Sequence, residues 1–281
     1  MQNRYQQFAT NRVMVIGAPN GARRTHVDHP ALPMTAKELA DCAIELLAAG
    51  ASVLHLHVRD NDGRHTLDAK AYRAATKVIR RKTGDDLVLQ VTTEAVGHYT
   101  RETQMSVVRE LRPEAVSLAL RELCPHEGSV PVAAKFFAWL VSERIWPQYI
   151  LYSAGDLRRF ELMRRRGVFV EDHPSCLLVL GGYEEQQPGG PKELDALLSS
   201  VDCSRFPWSV CCFGPDELRA MLAAFDQGGH VRIGFENNLL LADGSMASDN
   251  AELIAQFISA TQQSTRRPAS ADEVRDAFLS R

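Results

Sequence analysis

The chain has 281 residues, is 45% hydrophobic and 24% charged, and carries a formal net charge of −3 at pH 7. These values are ordinary for a globular protein, and the absence of a long lysine or arginine block argues against a nucleic-acid-binding surface. No apolar stretch reaches about 18 residues, so we predict no membrane span. Six cysteines without a CxxC pair and a start without an apolar signal core predict a cytoplasmic protein with reduced thiols.

The first predicted unit is a strand, a long loop and a helix. Arg12–Gly17 is an apolar run that ends in glycine, which is typical of a buried strand. Thr35 and Glu38 form a capping box for the helix, and Gly50 ends it. The loop between them contains three candidate metal ligands, although such loop residues are more often solvated: His26, Asp28 and His29.

A histidine pair lies in the second predicted strand, within the run VLHLHVRD that begins at Val53. Residues i and i+2 of a strand point to the same face, so His55 and His57 project together. Two imidazoles on one face can bind one metal ion, usually Zn²⁺. The alternative is a pair of hydrogen-bonded histidines on a polar face, and the pair alone does not decide between the two.

Six more strand–helix units follow at intervals of about 30 residues. The predicted strands are Asp85–Thr93, Ala115–Leu120, Gln148–Tyr152, Ser175–Leu180, Pro207–Phe213 and His230–Phe235. Eight βα units predict a (β/α)₈ TIM barrel of class α/β, with an open doubly wound sheet as the alternative. No dinucleotide-binding or P-loop motif follows the first strand, and no linker divides the chain. We therefore predict one domain, 1–281, with a short extra helix at Ser270–Leu279.

The end of the eighth strand supplies a third candidate ligand. In HVRIGFE, which begins at His230, alternation turns Arg232 and Glu236 toward the barrel axis. Active sites of this fold lie at the C-terminal ends of the strands, where Glu236 meets the level of His55 and His57. A His₂Glu set with an open fourth position is a catalytic zinc arrangement, and Arg232 could bind a substrate carboxylate. The alternative is a buried ion pair between Arg232 and Glu236.

Two motifs resemble those of the β-keto acid cleavage enzymes. They are HLHVRD at 55–60, with the Gly63 turn, and GGHVRIGFENN at 228–238; the first-strand loop and the closing segment 268–270 extend the match. The resemblance implies a barrel, usually a homotetramer, that uses Zn²⁺ to react a β-keto acid with acetyl-CoA. The implied products are acetoacetate and a new CoA ester, formed by a retro-Claisen route. The implied metal ligands are His55, His57 and Glu236, with Arg232 on the substrate side.

The chain departs from this family where acid–base chemistry is expected. Asn237 replaces the aspartate that is the presumed base, and an amide cannot take a proton at neutral pH. Thr92 keeps a hydroxyl of the family's Ser-Thr-Gly-Gly motif, and Glu94 or Glu122 is a candidate for the missing base, although either could be a surface residue or an arginine partner. The predicted catalytic positions are therefore Arg232, Asn237, Thr92 and Glu94. Three other positions also depart from the family. Asn20 or one of its neighbours replaces a carboxylate in the loop after the first strand, and Tyr149–Ser153 has no acidic residue where the family's fifth strand has them. Arg121-Glu122 replaces small residues after the fourth strand.

Three functions are compatible with these residues. The leading prediction is a zinc-dependent acyltransferase that cleaves a carbon–carbon bond of a β-keto acid with acetyl-CoA as co-substrate. A second is another metal-dependent lyase or hydrolase that does not use CoA. A third is a metal-stabilised small-molecule-binding protein without turnover. Assays with β-keto acids, with and without acetyl-CoA, separate them.

For four aromatic residues near the strands we expect core positions rather than pocket positions: Tyr149, Tyr152, Trp208 and Phe213.

Overall fold

The computed structural model describes residues 4–171, 173–182 and 189–279. Its strands are β1 (Arg12–Val13), β2 (Val15–Gly17), β3 (Val53–Leu56), β4 (Val58–Arg59), β5 (His65–Thr66), β6 (Val88–Thr92), β7 (Ala115–Ala119), β8 (Trp146–Leu151), β9 (Ser175–Leu180), β10 (Trp208–Cys212), β11 (His230–Ile233) and β12 (Arg267–Pro268). Its helices are α1 (Arg4–Asn11), α2 (Ala36–Ala49), α3 (Ala69–Thr83), α4 (Arg101–Leu111), α5 (Leu120–Leu123), α6 (Val130–Ser142), α7 (Ala154–Arg165), α8 (Pro191–Leu198), α9 (Glu217–Asp226), α10 (Asn250–Thr261) and α11 (Ala271–Phe278). Within these ranges, no helix has the length and apolar character needed to cross a membrane.

Eight parallel strands close into a barrel in the order β2-β3-β6-β7-β8-β9-β10-β11, and β11 pairs again with β2. A helix separates each strand from the next, as right-handed parallel crossovers require. The predicted (β/α)₈ barrel is confirmed, and the open-sheet alternative is wrong. Thr35 and Glu38 form the predicted capping box of α2, and Gly50 ends the helix in the left-handed conformation.

Strand alternation sets which side chains reach the barrel interior. On β3, Leu54 and Leu56 belong to the apolar core between the barrel and its helices. His55 points the opposite way, and its Nδ1 lies 2.9 Å from Oε1 of Gln90 on the neighbouring strand β6. The interior therefore carries polar groups at this level, while the outer face of the same strands supplies the apolar burial that stabilises the fold.

The N-terminal end of the barrel is closed by α11, the predicted extra helix, and by α1 and β12, which the sequence pattern did not predict. The predicted first strand is divided: β1 pairs with β12 outside the barrel, and only β2 joins it. Helix α1 packs on α11, with the rings of Phe8 and Phe278 5.8 Å apart, and Trp146 stacks on Phe278 at 4.6 Å. Few apolar residues mark α1, so tertiary contacts rather than periodicity decide its burial.

A short hairpin follows the histidine strand. β4 pairs antiparallel with β5, so that Val58 faces Thr66 and Arg59 faces His65. Gly63 makes the turn with φ of 76°, a conformation that favours glycine. The hairpin folds the chain back across the C-terminal end of β3 and places His65 beside His57.

Candidate metal centre and active site

Three buried side chains meet at the C-terminal end of the barrel, one from β3, one from the residue after it and one from the loop after β11. Nε2 of His55 lies 3.2 Å from Nε2 of His57. Oε2 of Glu236 lies 3.4 Å from the first and 3.5 Å from the second. Of the residues that the structure describes, these are the only group of three or more with metal-ligand spacing.

The spacing of these three atoms fits a tetrahedral metal ion. Two ligand atoms about 2.05 Å from a tetrahedral centre lie about 3.3 Å from each other, close to all three observed separations. Oε2 of Glu236 is buried and forms no hydrogen bond with the described residues, which is costly for a charged oxygen without a cation. His55, His57 and Glu236 are therefore a donor set that a metal ion would complete.

The charge states of the three groups also suit a cation. Burial lowers the pKa of His55 to about 4 and that of His57 well below its usual value, although Glu236 opposes both shifts. Burial alone would raise the pKa of Glu236, but Arg232 and the histidines hold it well below its usual value. Both imidazoles are neutral and the carboxyl is ionised at neutral pH, and these are the forms that bind metals.

The alternative of an Arg232–Glu236 ion pair is also present, and it does not compete with the metal site. Nη2 of Arg232 lies 3.0 Å from Oε1 of Glu236 and 3.2 Å from Sγ of Cys211. The other carboxylate oxygen, Oε2, faces the two histidines. Each oxygen of Glu236 therefore has its own environment.

The backbone around Glu236 leaves no room for larger residues. Gly234 has φ of 148°, and a Cβ atom there would lie 2.4 Å from the carbonyl oxygen of Ala18. Gly21 has φ of 57°, and its Cβ would lie 2.6 Å from Cγ of Glu236. The amide of Glu236 donates to the carbonyl of Ala18. This contact fixes the carboxylate against the loop after β2.

Glu217 on α9 lies behind this loop and is buried. Its Oε1 accepts a hydrogen bond from the amide of Gly234, and its Oε2 accepts one from Nδ2 of Asn238. Burial raises the pKa of Glu217 to about 8, and these hydrogen bonds only partly oppose the shift. Because the ordinary value is 4.5, the folded state holds a proton between about pH 4.5 and pH 8 that the unfolded state has lost.

Stability is therefore expected to fall as pH rises through this window, by up to about 1.4 kcal/mol per pH unit from this group. We expect Glu217→Gln to remove that part of the slope, as measured by urea unfolding between pH 5.5 and pH 8. Glu161→Gln is the matched control, because hydrogen bonds from Arg164 lower the pKa of Glu161 and confine its effect to more acidic pH. Identical slopes for wild type and Glu217→Gln would contradict this assignment.

Two polar residues, to which the sequence analysis assigned no such contact, hydrogen-bond to the two histidines. Nδ2 of Asn20 donates to the carbonyl of His57, and Oδ1 of Asn20 accepts from the amide of His57. Oε1 of Gln90 lies 2.9 Å from Nδ1 of His55, and Nε2 of Gln90 donates a hydrogen bond to Oε1 of Gln148. The signal for Gln90 was present, since alternation places it on the inner face of its strand. The role of Asn20 depends on a long loop returning to the barrel.

A cavity of about 470 Å³ opens beside the three candidate ligands. The predicted residues Thr92, Glu94 and Arg232 line it, together with His55 and Glu236. Oγ1 of Thr92 accepts a hydrogen bond from the amide of Glu94, and Oε2 of Glu94 lies 3.9 Å from Nε2 of His57. Burial, followed by repulsion from Glu236, raises the pKa of Glu94 to about 7. A carboxyl tuned to this range suits general acid–base chemistry.

Aromatic residues line the part of the cavity away from the candidate metal ligands. Tyr152 is half-buried and lines the cavity, so its core prediction is wrong. Phe213 lies in a small buried apolar cluster, as predicted, and also lines the cavity. Tyr149 and Trp208 lie in the main core outside the cavity. The ring of Tyr152 carries the Arg121 guanidinium at 3.6 Å, a cation–π contact at the end of β7. Alternation did not reveal this, because the chain leaves the strand before both residues.

Glu122 also lines the cavity, but it is partly engaged. Its Oε2 accepts a hydrogen bond from the amide of Ala95, at 3.3 Å. Burial raises its pKa from the usual value, and the Ala95 hydrogen bond opposes the shift. Between the two candidate bases, Glu94 lies nearer the metal-site atoms.

Asn237 does not join the other predicted catalytic residues. It is fully buried, is not among the described residues that line the cavity, and neither side-chain atom has a hydrogen-bond partner in the described part of the chain. The candidate ligands of the first loop also stay apart: His26 lies 3.6 Å from Glu38, Oδ2 of Asp28 accepts from the amide of Thr25, and His29 bonds the carbonyl of Ala247.

The model of one protein family, the β-keto acid cleavage enzymes, matches residues 12–279. The chain belongs to this family. It is 29% identical over 270 residues to the 3-keto-5-aminohexanoate cleavage enzyme of Fusobacterium nucleatum, covering 94% of this chain and 96% of that one. It is 24% identical over 261 residues to the 3-oxoadipate:acetyl-CoA acetyltransferase of Cupriavidus necator, covering 88% of each.

A solved structure supports the fold. The ternary complex of ObcA with a C4-CoA adduct and oxalate superposes with a TM-score of 0.73 at 16% identity, covering 89% of this chain and 67% of that one. At this identity the likeness bears on the fold alone. Family membership makes the chain an enzyme of the β-keto acid cleavage family, which argues against the third predicted function, a binding protein without turnover.

Proposed function

We propose that this β-keto acid cleavage enzyme uses a bound Zn²⁺ ion and acetyl-CoA to convert a β-keto acid into acetoacetate and a CoA ester. The observation that carries the proposal is the triangle of His55 Nε2, His57 Nε2 and Glu236 Oε2, with sides of 3.2, 3.4 and 3.5 Å, beside a cavity. Nitrogen and oxygen donors at tetrahedral spacing favour zinc, and three protein ligands leave a position for substrate.

The overall exchange balances without an oxidant or reductant. A β-keto acid R–CO–CH₂–COO⁻ and acetyl-CoA give acetoacetate and R–CO–SCoA, so one acyl group replaces another on the CH₂–COO⁻ unit and on the thiol. The bond between the ketone carbon and the CH₂ carbon breaks, and a bond between the CH₂ carbon and the acetyl group forms. The thioester bond of acetyl-CoA breaks, and a new thioester bond forms between the CoA sulfur and the R–CO group. A metal ion at this site would polarise a carbonyl oxygen.

The remaining steps fall to residues of the chain. Arg232, which lines the cavity beside Glu236, would bind the substrate carboxylate. Glu94 would take a proton from the CH₂ carbon before the acetyl group joins that carbon, and would return it to the same carbon after the R–CO group has left. Thr92 would keep Glu94 in place, because the Thr92 hydroxyl accepts a hydrogen bond from the backbone amide of Glu94. Glu94 thereby assumes the role that Asn237 cannot perform.

The proposal is tested by an assay with purified protein, zinc and a panel of β-keto acids, with and without acetyl-CoA. Acetoacetate and a new CoA ester formed only with acetyl-CoA, together with about one zinc per chain, are the expected result. Turnover without acetyl-CoA would instead indicate a metal-dependent lyase or hydrolase. Absence of stoichiometric metal would contradict the metal site itself.

The proposal includes three further expectations from the sequence. They are a single domain over 1–281, a cytoplasmic location and a homo-oligomer, a tetramer by resemblance. The packing of α11 against α1 at the N-terminal end of the barrel supports the first. Light scattering on the purified protein measures the oligomeric state directly.

A further inference from the structure

His65 lies directly behind one of the candidate metal ligands. The β4–β5 hairpin places its Nδ1 3.4 Å from Nδ1 of His57, at the long end of hydrogen-bond distances. Its Nε2 lies 3.0 Å from the backbone carbonyl oxygen of Glu94. The ring is buried, with 9% of its surface exposed. His65 therefore contacts both the metal site and the loop that carries Glu94.

The partners of His65 fix the direction of these hydrogen bonds. A backbone carbonyl can only accept, so Nε2 of His65 must carry a proton. In a neutral ring, Nδ1 then holds a lone pair and can only accept. The facing Nδ1 of His57 is therefore the donor, and the Nε2 of His57 is left with its lone pair directed at His55 and Glu236.

His55 reaches the same protonation pattern through a different residue. Its Nδ1 lies 2.9 Å from Oε1 of Gln90, whose amide nitrogen donates to Gln148. Because the Gln90 oxygen accepts, Nδ1 of His55 carries the proton and Nε2 has the lone pair. In both neutral rings, Nδ1 is thus the donor to an outer partner, and Nε2 faces the metal site.

We propose that His65 is a positioning residue, which holds His57 in the tautomer that presents the Nε2 lone pair to the metal. The inference rests on the proposed metal site. It goes further, because it assigns a role to a residue outside the ligand set and outside the cavity lining. Outer hydrogen-bond partners of metal-bound histidines typically change metal affinity by about 10- to 100-fold when removed.

The first test uses metal-free protein and needs no turnover. Long-range ¹H–¹⁵N NMR spectra of the histidine rings are expected to show His55 and His57 protonated at Nδ1. In His65→Phe, His57 loses its acceptor and is expected to shift toward the form protonated at Nε2. His55 keeps its Gln90 partner and serves as the internal reference for an intact fold.

The second test measures zinc affinity by competition with a chelator. We expect His65→Phe to bind about 10- to 100-fold more weakly than wild type, and His65→Gln to recover most of the loss. The glutamine amide offers one acceptor for His57 and one donor for the Glu94 carbonyl. Wild-type His57 protonated at Nε2, or His65→Phe with wild-type affinity and tautomer, would overturn the proposal. Wild-type protein without zinc affinity would instead refute the proposed function, while the NMR result would still report on His65.

Discussion

Glu236→Gln is expected to abolish stoichiometric zinc binding and to lower kcat/KM by about 10³-fold or more. The amide oxygen of the glutamine can replace Oε1 and still accept a hydrogen bond from Arg232. The substitution removes the negative charge, and it replaces the oxygen that faces the two histidines with an NH₂ group. Lewis-acid polarisation contributes several kcal/mol to catalysis, and about 1.4 kcal/mol corresponds to each factor of ten in rate. A loss of about 4 kcal/mol therefore gives the stated factor.

Metal content after dialysis and kcat/KM with acetyl-CoA are the two measurements for this variant. Glu171→Gln is the matched control, because Glu171 is a half-buried carboxyl that accepts a hydrogen bond from the hydroxyl of Tyr149 outside the cavity. It is expected to keep wild-type metal content and to change kcat/KM less than about threefold. Full zinc occupancy in Glu236→Gln would exclude Glu236 as a ligand, whatever happens to the rate.

Much of the fold could be predicted because periodicity carries it. Apolar runs of four to six residues and capping signals such as Thr35 with Glu38 recur along the chain. The same alternation places His55 inside the barrel and Leu54 outside it. Helix α1 was missed, because its burial depends on Phe278, more than 260 residues away.

The site was predicted where it follows from strand geometry and missed where it follows from loops. His55 lies near the C-terminal end of its strand, and Glu236 lies just beyond the end of another. Because the C-terminal ends of all the strands meet at one end of the barrel, the sequence predicts that these two side chains lie close together. Asn20 and His65 lie in a loop and a hairpin, and only the folded chain shows that they contact His57. Asn237 was placed among the catalytic residues because it replaces the aspartate that is the family's presumed base, yet it is not among the described residues that line the cavity.

In the proposed function, Glu94 takes over the acid–base role of a carboxylate that the chain lacks at position 237. Asn237 cannot accept a proton at neutral pH. Glu94 lies two residues beyond β6, with its Oε2 3.9 Å from Nε2 of His57, and burial raises its pKa to about 7. The two positions follow different strands, β6 and β11, so the proposed base differs from the family's in location as well as in residue type.

Glu94→Gln is the variant that tests this relocation. We expect kcat to fall by about 10²- to 10⁴-fold, the usual contribution of a positioned acid–base group, with KM changed little. Glutamine has nearly the same volume as glutamate, and the backbone amide at position 94 can still donate its hydrogen bond to Thr92. Zinc content is expected to stay at the wild-type level, because Oε2 of Glu94 is 3.9 Å from Nε2 of His57 and lies outside the ligand triangle.

Glu122→Gln is the matched comparison, since both carboxyls line the cavity and both have raised pKa values. Oε2 of Glu122 already accepts from the Ala95 amide, and an amide oxygen can do the same, so we expect a loss in kcat below about tenfold. Steady-state kinetics of both variants with acetyl-CoA decide between the two carboxyls. If Glu122→Gln lost more activity than Glu94→Gln, the base would be Glu122. If neither lost more than tenfold, proton transfer would have to pass through another group, and the assignment of Glu94 would be wrong.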